Sequence, residues 1–424
     1  MDNLTHALTG ALIARTLPDR WAGERDEPLD PDSVRPGRWL TWSAVVAANL
    51  PDFEALVLWP PPLGDKAAYL LHHRGWSHSL VGIAAEAVTF TALLWLLARC
   101  RCTAGWFAGF TLRRGLDVAA LGVGSHLFMD WWNSYGVRPF YPWDKTWYYG
   151  DRVFIVDPWV WLMLGGALVC GTRRFGRTKW WWYALTFAAT LVVAGACWKE
   201  QCPSWVAVGW ATGVIEVALL RWWGRWRFAP LIAASLIGLY LVANAYWSVQ
   251  AVGAALAGPV LSQRYDSDRI DALGAMPVPG VPWRRRVMSS VMTVGPSGRD
   301  VLANVCYGDW DGLTGGYVHR DCLSRSPGEA ERRGLEEDPK VIAWKAFARF
   351  HIGGWRITEQ DDSTPGQEGE FVMGDARCGA DADDWSELRI AVPFSGRAEG
   401  TASALSERPD TLRTIFPSPQ STPR

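Results

Sequence analysis

Long apolar runs dominate the first 250 residues of this 424-residue chain. Residues 79–98 carry only Glu86 as a charge, 180–198 and 228–250 carry none, and 204–220 carry only Glu216. A helix needs about 20 mostly apolar residues to cross hydrocarbon, so each run predicts a membrane span. Two further runs, 115–133 and 154–171, have spanning length but hold Asp117, His126, Asp130 and Asp157. Ionisable groups at such depth are costly and face a bundle interior or a functional cavity. Two shorter helices are expected ahead of the spans. In 4–15, Leu4, Ala7, Leu8, Ala11 and Leu12 fall at helical spacing. The stretch 38–50 stops at Pro51, which biases the residue before it out of the α region. The expected fold class is mainly α, a polytopic membrane helix bundle over 1–254.

Beyond residue 255 the apolar runs shorten and Pro and Gly become frequent. Segments 285–294 and 299–308 read as strands and 339–350 as a helix, which predicts a small soluble α+β domain over 255–395. Residues 396–424, ending PSPQSTPR, have the composition of a disordered tail.

Composition sharpens the membrane reading. The chain has 28 tryptophans, 23 of them before residue 255, and indole rings favour the headgroup level. Trp180, Trp181 and Trp182 open an uncharged run, as an interfacial belt would. The balance of 42 basic and 43 acidic residues gives no reason to expect a nucleic-acid partner. MDNLTHALTG lacks the basic start and apolar centre of a cleaved leader. Arginine and lysine concentrate in the loops 99–114, 172–179 and 221–227, which places those loops on the cytoplasmic side and the C-terminal domain on the outer side. Of the eight cysteines, Cys202 falls in an outer loop and Cys306, Cys322 and Cys378 in the C-terminal domain, where an oxidising compartment would let some pair.

The candidate chemistry lies in the histidines. Five of the seven precede residue 127 and recur beside carboxylates: His6, then Asp52 and Glu54, then His72, His73 and His78, then His126 and Asp130. Such a mixture suits zinc, manganese or iron. His126 and Asp130, four apart, share one helix face, and Gly122, Gly124 and Ser125 would admit a neighbouring helix. His73 and His78, five apart, cannot share a face, so Gly75 is expected to break the chain between them. His78 opens one span and His126 with Asp130 closes the next, so antiparallel neighbours bring them together. The proposed ligands are His6, Asp52, His73, His78, His126 and Asp130. Glu54 is a candidate to take a proton or to complete a second site, and Arg74 a candidate clamp for an anionic group.

These motifs resemble those of the YdjM family of membrane-bound metal-dependent hydrolases. The matching stretches are MDNLTHALTG, NLPDFE (49–54), HRGWSHSL (73–80), SHLFMDWWNSYGVRPF (125–140) and FIVDPWVW (154–161). Glu54 stands where the family pattern commonly has Asp, and Ser77 where it has Thr. The resemblance implies an inner-membrane location and a divalent-metal cofactor. A remoter likeness to zinc-dependent phospholipase C and P1-type nucleases implies a phosphoester of a lipid or lipid-linked substrate. Two other readings use the same residues: a divalent-metal carrier or sensor without hydrolysis, and a scaffold whose polar cluster ties helices together.

Overall fold

In a computed structural model, the described residues are 1–17, 38–55, 72–172, 179–224, 226, 228–258, 270–294, 300–324, 338–357, 368–375 and 388–393. The tail expected to be disordered, 396–424, lies outside them. The chain divides into two compact units, one of residues 1–64, 72–245 and 277–282, the other of 65–71, 246–276 and 283–424.

The first unit is helical: α1 (Asn3–Thr16), α2 (Arg38–Ala47), a 3-10 turn (Leu50–Glu54), α3 (Leu80–Arg99), α4 (Leu112–Trp131), α5 (Pro158–Gly171), α6 (Lys179–Trp198), α7 (Ser204–Trp223) and most of α8 (Ala229–Ala257). Short polar side chains start the helices that carry the polar centre. Asp2 accepts from the backbone of Leu4 and Thr5, Ser79 from Gly82, Thr111 from Arg114, and Asp157 from Trp159 and Val160. Asp157 also accepts from the Tyr240 hydroxyl at 2.8 Å. Helix α2 ends at Ala47, and Pro51 falls in the first turn of the 3-10 helix that follows, where its missing N–H costs nothing.

Among the described residues, four helices are long and apolar enough to cross a membrane: α3, α6, α7 and α8. These spans set the protein in a lipid bilayer. Of the other two runs, 154–171 gives the shorter apolar helix α5, and 115–133 gives α4, whose charged and polar residues lower its hydropathy. Small residues hold α2 between α1 and α4. A Cβ on Gly10 would sit 2.4 Å from the Ala44 carbonyl oxygen, and one on Gly122 would sit 2.5 Å from the Ala47 Cβ. Gly124, also expected to admit a helix, has open space beside it. Trp39, Leu40, Ala44 and Val118 form one buried cluster here, and Ala47, Ala87, Phe90, Leu94, Ala119 and Val123 the next.

The second unit is mainly β. Strands β1 (Ile270–Val278), β2 (Val281–Val294), β3 (Asp300–Asp311) and β4 (Gly316–Ser324) form one sheet in that order. Helix α9 (Pro339–Phe347) precedes β5 (His351–Ile357), β6 (Glu368–Asp375) and β7 (Leu388–Pro393), a second sheet. Helix α8 has 29 residues, longer than the roughly 20 a bilayer needs. Its last turns pack Trp247, Ala251 and Ala255 against Ala275, Val287 and Trp310. Cys306 on β3 is disulfide-bonded, and Cys322 stands opposite it in the β3–β4 register.

Candidate metal centre

Four segments converge at one end of the first unit: α1 with His6, the 3-10 turn with Asp52 and Glu54, the loop before α3 with His73, Arg74 and His78, and the end of α4 with His126 and Asp130. His6, His78, His126 and Asp130 are fully buried. Ligand atoms of Asp52, His78, His126 and Asp130 all lie within 4.8 Å of one another. The two Nε2 atoms are 3.1 Å apart, and each is 3.5 Å from Asp52 Oδ1. Asp130 Oδ2 is 3.2 Å from His78 Nε2 and 3.6 Å from His126 Nε2. Donors placed tetrahedrally at zinc bond lengths of about 2.0–2.1 Å have edges of roughly 3.3–3.4 Å. The measured edges straddle that value, and two imidazoles with two carboxylates are a donor set for a divalent ion.

The partners behind these ligands fix which atoms face inward. His126 Nδ1 lies 2.8 Å from the Ala48 carbonyl oxygen. A carbonyl only accepts, so Nδ1 carries the proton and the Nε2 lone pair points into the cluster. This is what α2 provides by packing closely on Gly122. His78 Nδ1 is 2.8 Å from Ser77 Oγ, and Ser77 Oγ also contacts Glu54 Oε2. The carboxylate accepts from Ser77, so Ser77 accepts from His78, and the His78 Nε2 lone pair is likewise left for the centre. Asn3 donates to Asp52 Oδ2 at 3.2 Å, which leaves Oδ1 for the histidines. Asp130 is met by the Arg74 guanidinium at 2.9 Å and by the Met1 amino group.

Glu54 and His73 turn to each other instead of to the four ligand atoms. His73 Nδ1 is 3.1 Å from Glu54 Oε1, and the Arg74 backbone N–H donates to the same oxygen at 2.7 Å. Burial would raise the Glu54 carboxyl, but hydrogen bonds from His73 and Ser77 and the nearby His78 outweigh it and hold it below the usual range. Burial lowers the His73 imidazole more than Glu54 raises it, so it donates as a neutral ring.

The loop reaches this arrangement differently from expectation. The left-handed residue is Arg74, at φ 54°, and not Gly75. Its guanidinium is tied to Asp130 and to the Gly136 carbonyl at 2.9 Å, which holds a backbone conformation that Arg rarely adopts. Gly75 is needed for a close approach, since a Cβ there would sit 2.8 Å from the His72 carbonyl oxygen. Arg138 braces the loop from outside by donating to the His73 carbonyl at 3.1 Å, with its guanidinium over the rings of Tyr141 and Trp147. His6 stacks on His126 at 3.8 Å, and its Nε2 lies 3.3 Å from Asp130 Oδ1. Apart from that contact, neither His6 nitrogen meets a hydrogen-bond partner among the described residues.

Sequence reasoning missed Ser77, Asn3, Ala48 and Arg138. Ser77 and Asn3 sit inside the quoted motifs, and their short polar side chains beside ligand residues were the available signal. Ala48 contributes through its backbone, which leaves no side-chain signature.

Fold and centre together define a polytopic membrane protein with a buried histidine–carboxylate cluster that could hold a metal ion. Residues 1–202 of the chain match the family model described as YdjM inner membrane protein, so the likeness read from the motifs holds across that region, which contains the whole centre. No curated protein and no solved structure matches the chain.

Proposed function

We propose that the chain is a membrane-embedded, metal-dependent hydrolase acting on a phosphoester of a lipid or lipid-linked substrate. The observation that carries this reading is the compact set of four donor residues, with ligand atoms all within 4.8 Å of one another and each residue held by its own partner. A bound divalent ion such as zinc would lower the pKa of a coordinated water from 15.7 to about 7 and polarise a phosphoryl oxygen. The chain's own residues would supply the rest. Asp52 is the ligand whose side chain retains exposure, 20 %, so substrate would approach from its side. Arg74 would orient an anionic group beside Asp130, and the Glu54–Ser77 pair would keep His78 in the tautomer that presents Nε2.

The surroundings support a lipid-level substrate. Trp76 and Phe140 are about half exposed and Trp143 is 80 % exposed, in the segments that flank His78 and Asp130. Such rings favour the headgroup region. The outer placement of the C-terminal region, taken from the basic loops, gains support from the disulfide-bonded Cys306, since disulfides persist in oxidising compartments.

Purified protein should contain near-stoichiometric zinc, manganese or iron by elemental mass spectrometry, and His126→Ala and Asp130→Ala should lose it together with hydrolysis of a lipid phosphoester. Hydrolysis that survives both substitutions would sink the mechanism. One observation favours the carrier reading: on the spanning helix α3, the buried Glu86 Oε2 meets no hydrogen-bond partner among the described residues. Metal uptake into proteoliposomes without any hydrolysis would select it.

A further inference from the structure

Two cysteine pairs in the first unit have the same sulfur–sulfur separation and occupy opposite ends of the helices. Cys197 Sγ and Cys202 Sγ are 2.8 Å apart at the α6–α7 turn. Cys100 Sγ and Cys102 Sγ are also 2.8 Å apart, just beyond α3. We propose that Cys197 and Cys202 are joined by a disulfide that staples the α6–α7 turn on the outer side of the membrane, whereas Cys100 and Cys102 remain thiols on the inner side. The assignment rests on the outer-side reading of the C-terminal region given above.

Local geometry makes the first pair ready to bond. Glu200 adopts φ 58° just past α6, and the Glu200 and Gln201 N–H groups donate back to Cys197 and Ala196. Such a left-handed residue reverses a helix end, and here it returns Cys202 to Cys197. Cys202 is 4 % exposed, so its sulfur is confined against its neighbour. The sulfurs stand less than about 1 Å beyond the bonded distance of about 2.04 Å.

Sidedness follows from helices that cross. Helices α7 and α8 each have spanning length, so the chain before α7 and the chain after α8 emerge on one side. The first of these contains Cys202 and the second contains the disulfide-bonded Cys306. The metal centre shares this side. Asp2 is bonded to the Ile155 carbonyl and Trp161 at the start of α5, and Trp159 there stacks on Trp205 at the start of α7. Cys100 lies at the other end of α3 from His78, about 30 Å along a 20-residue helix.

Bond formation needs a two-electron acceptor, here the disulfide of a thiol–disulfide exchange protein in the oxidising compartment. One cysteine thiolate attacks a sulfur of that disulfide, whose other sulfur leaves as a thiolate. The second cysteine, losing its proton, then attacks the mixed disulfide, and the acceptor departs as a dithiol.

The test uses membranes carrying the full chain, prepared without reductant, quenched in acid, denatured, and alkylated before and after reduction with tags of different mass. Cys197, Cys202 and Cys306 should take the second tag, and Cys100 and Cys102 the first. In Cys197→Ser, Cys202 should move to the first tag. First-tag labelling of Cys197 and Cys202 with Cys306 still on the second would overturn the staple and leave the outer-side reading standing. First-tag labelling of Cys306 as well would overturn both. Second-tag labelling of Cys100 and Cys102 would remove the contrast between the sides.

Discussion

The first unit contains two kinds of membrane helix. Helices α6 and α7 turn most of their apolar side chains outward, with Trp181, Phe187, Leu191, Val208 and Ile215 exposed. Helix α4 is divided: Leu116, Leu121 and Phe128 are exposed, whereas Gly122, Val123, His126, Met129 and Asp130 are buried, and its polar residues lower its hydropathy below that of the spans. In lipid an apolar side chain gains little by turning inward, because the surrounding tails are as apolar as leucine. A polar side chain has to turn inward, because hydrocarbon offers it no partner. Hydropathy therefore marks the helices that face lipid, and its lapses mark the helix that carries the chemistry.

The sharpest break between the two kinds should come from metal removal. An ion bound only by the folded state stabilises by about 4 kcal/mol when its free concentration is 1,000 times Kd. A chelator should destabilise the wild type by an amount of that order, read as a lower thermal midpoint. Asp130→Asn, lacking one ligand charge, should start lower and respond little. An identical response of wild type and variant would remove the ion from the stability of the polar half.

Next in size is a packing contrast within α4 itself. Gly122→Leu would drive a side chain into Ala47 and Ala48, where a Cβ is already 2.5 Å from one and 3.1 Å from the other. Overpacking of this kind costs about 1–3 kcal/mol. Because Ala48 holds His126, bound metal should fall with it. Gly124→Leu enters open space, and its melting and metal content should stay near wild type. Equal losses in both variants would mean that α4 tolerates no bulk anywhere, and the specific α2 contact would lose its role.

How much of this was legible follows the same division. The lipid-facing runs announced α3, α6 and α7 within a few residues of their ends, and α8 from its start, although α8 runs seven residues past the expected end at 250. The i,i+4 spacing of His126 and Asp130, and the antiparallel placement of His78 beside them, put three donors in one place before any coordinates. The partners of those donors were less visible. Glu54 was expected to take a proton or complete a second site, and its carboxylate is met by His73, Ser77 and the Arg74 backbone, none of which the sequence marked as its partner. His73 looked equivalent to His78, but the Arg74 backbone at φ 54° turns the chain between them and sends the two rings to different partners. Side-chain identity reveals which residues are able to bind, whereas loop conformation decides which of them point inward.

The Glu54–Ser77–His78 chain tests that point at smaller scale. Ser77→Ala keeps every ligand and removes only the acceptor of the His78 Nδ1 proton. Loss of such an outer partner typically costs 10–100-fold in metal affinity. Competition with a calibrated chelator should show that loss, and Ser77→Thr, which restores the hydroxyl, should recover most of it. An unchanged affinity in Ser77→Ala would mean that His78 is oriented by packing alone.

The smallest effect is expected on the lipid side. Phe187→Ala and Leu191→Ala on α6 each remove an exposed apolar group, 65 % and 57 % exposed. With lipid able to fill the space, neither leaves a cavity like those that make core truncations costly. Stability should change by no more than about 0.5 kcal/mol, the range of substitutions away from packed or paired sites. Metal content should be unaltered. A loss well beyond that range would show that this face of α6 is covered by another protein surface and packs as the buried face of α4 does.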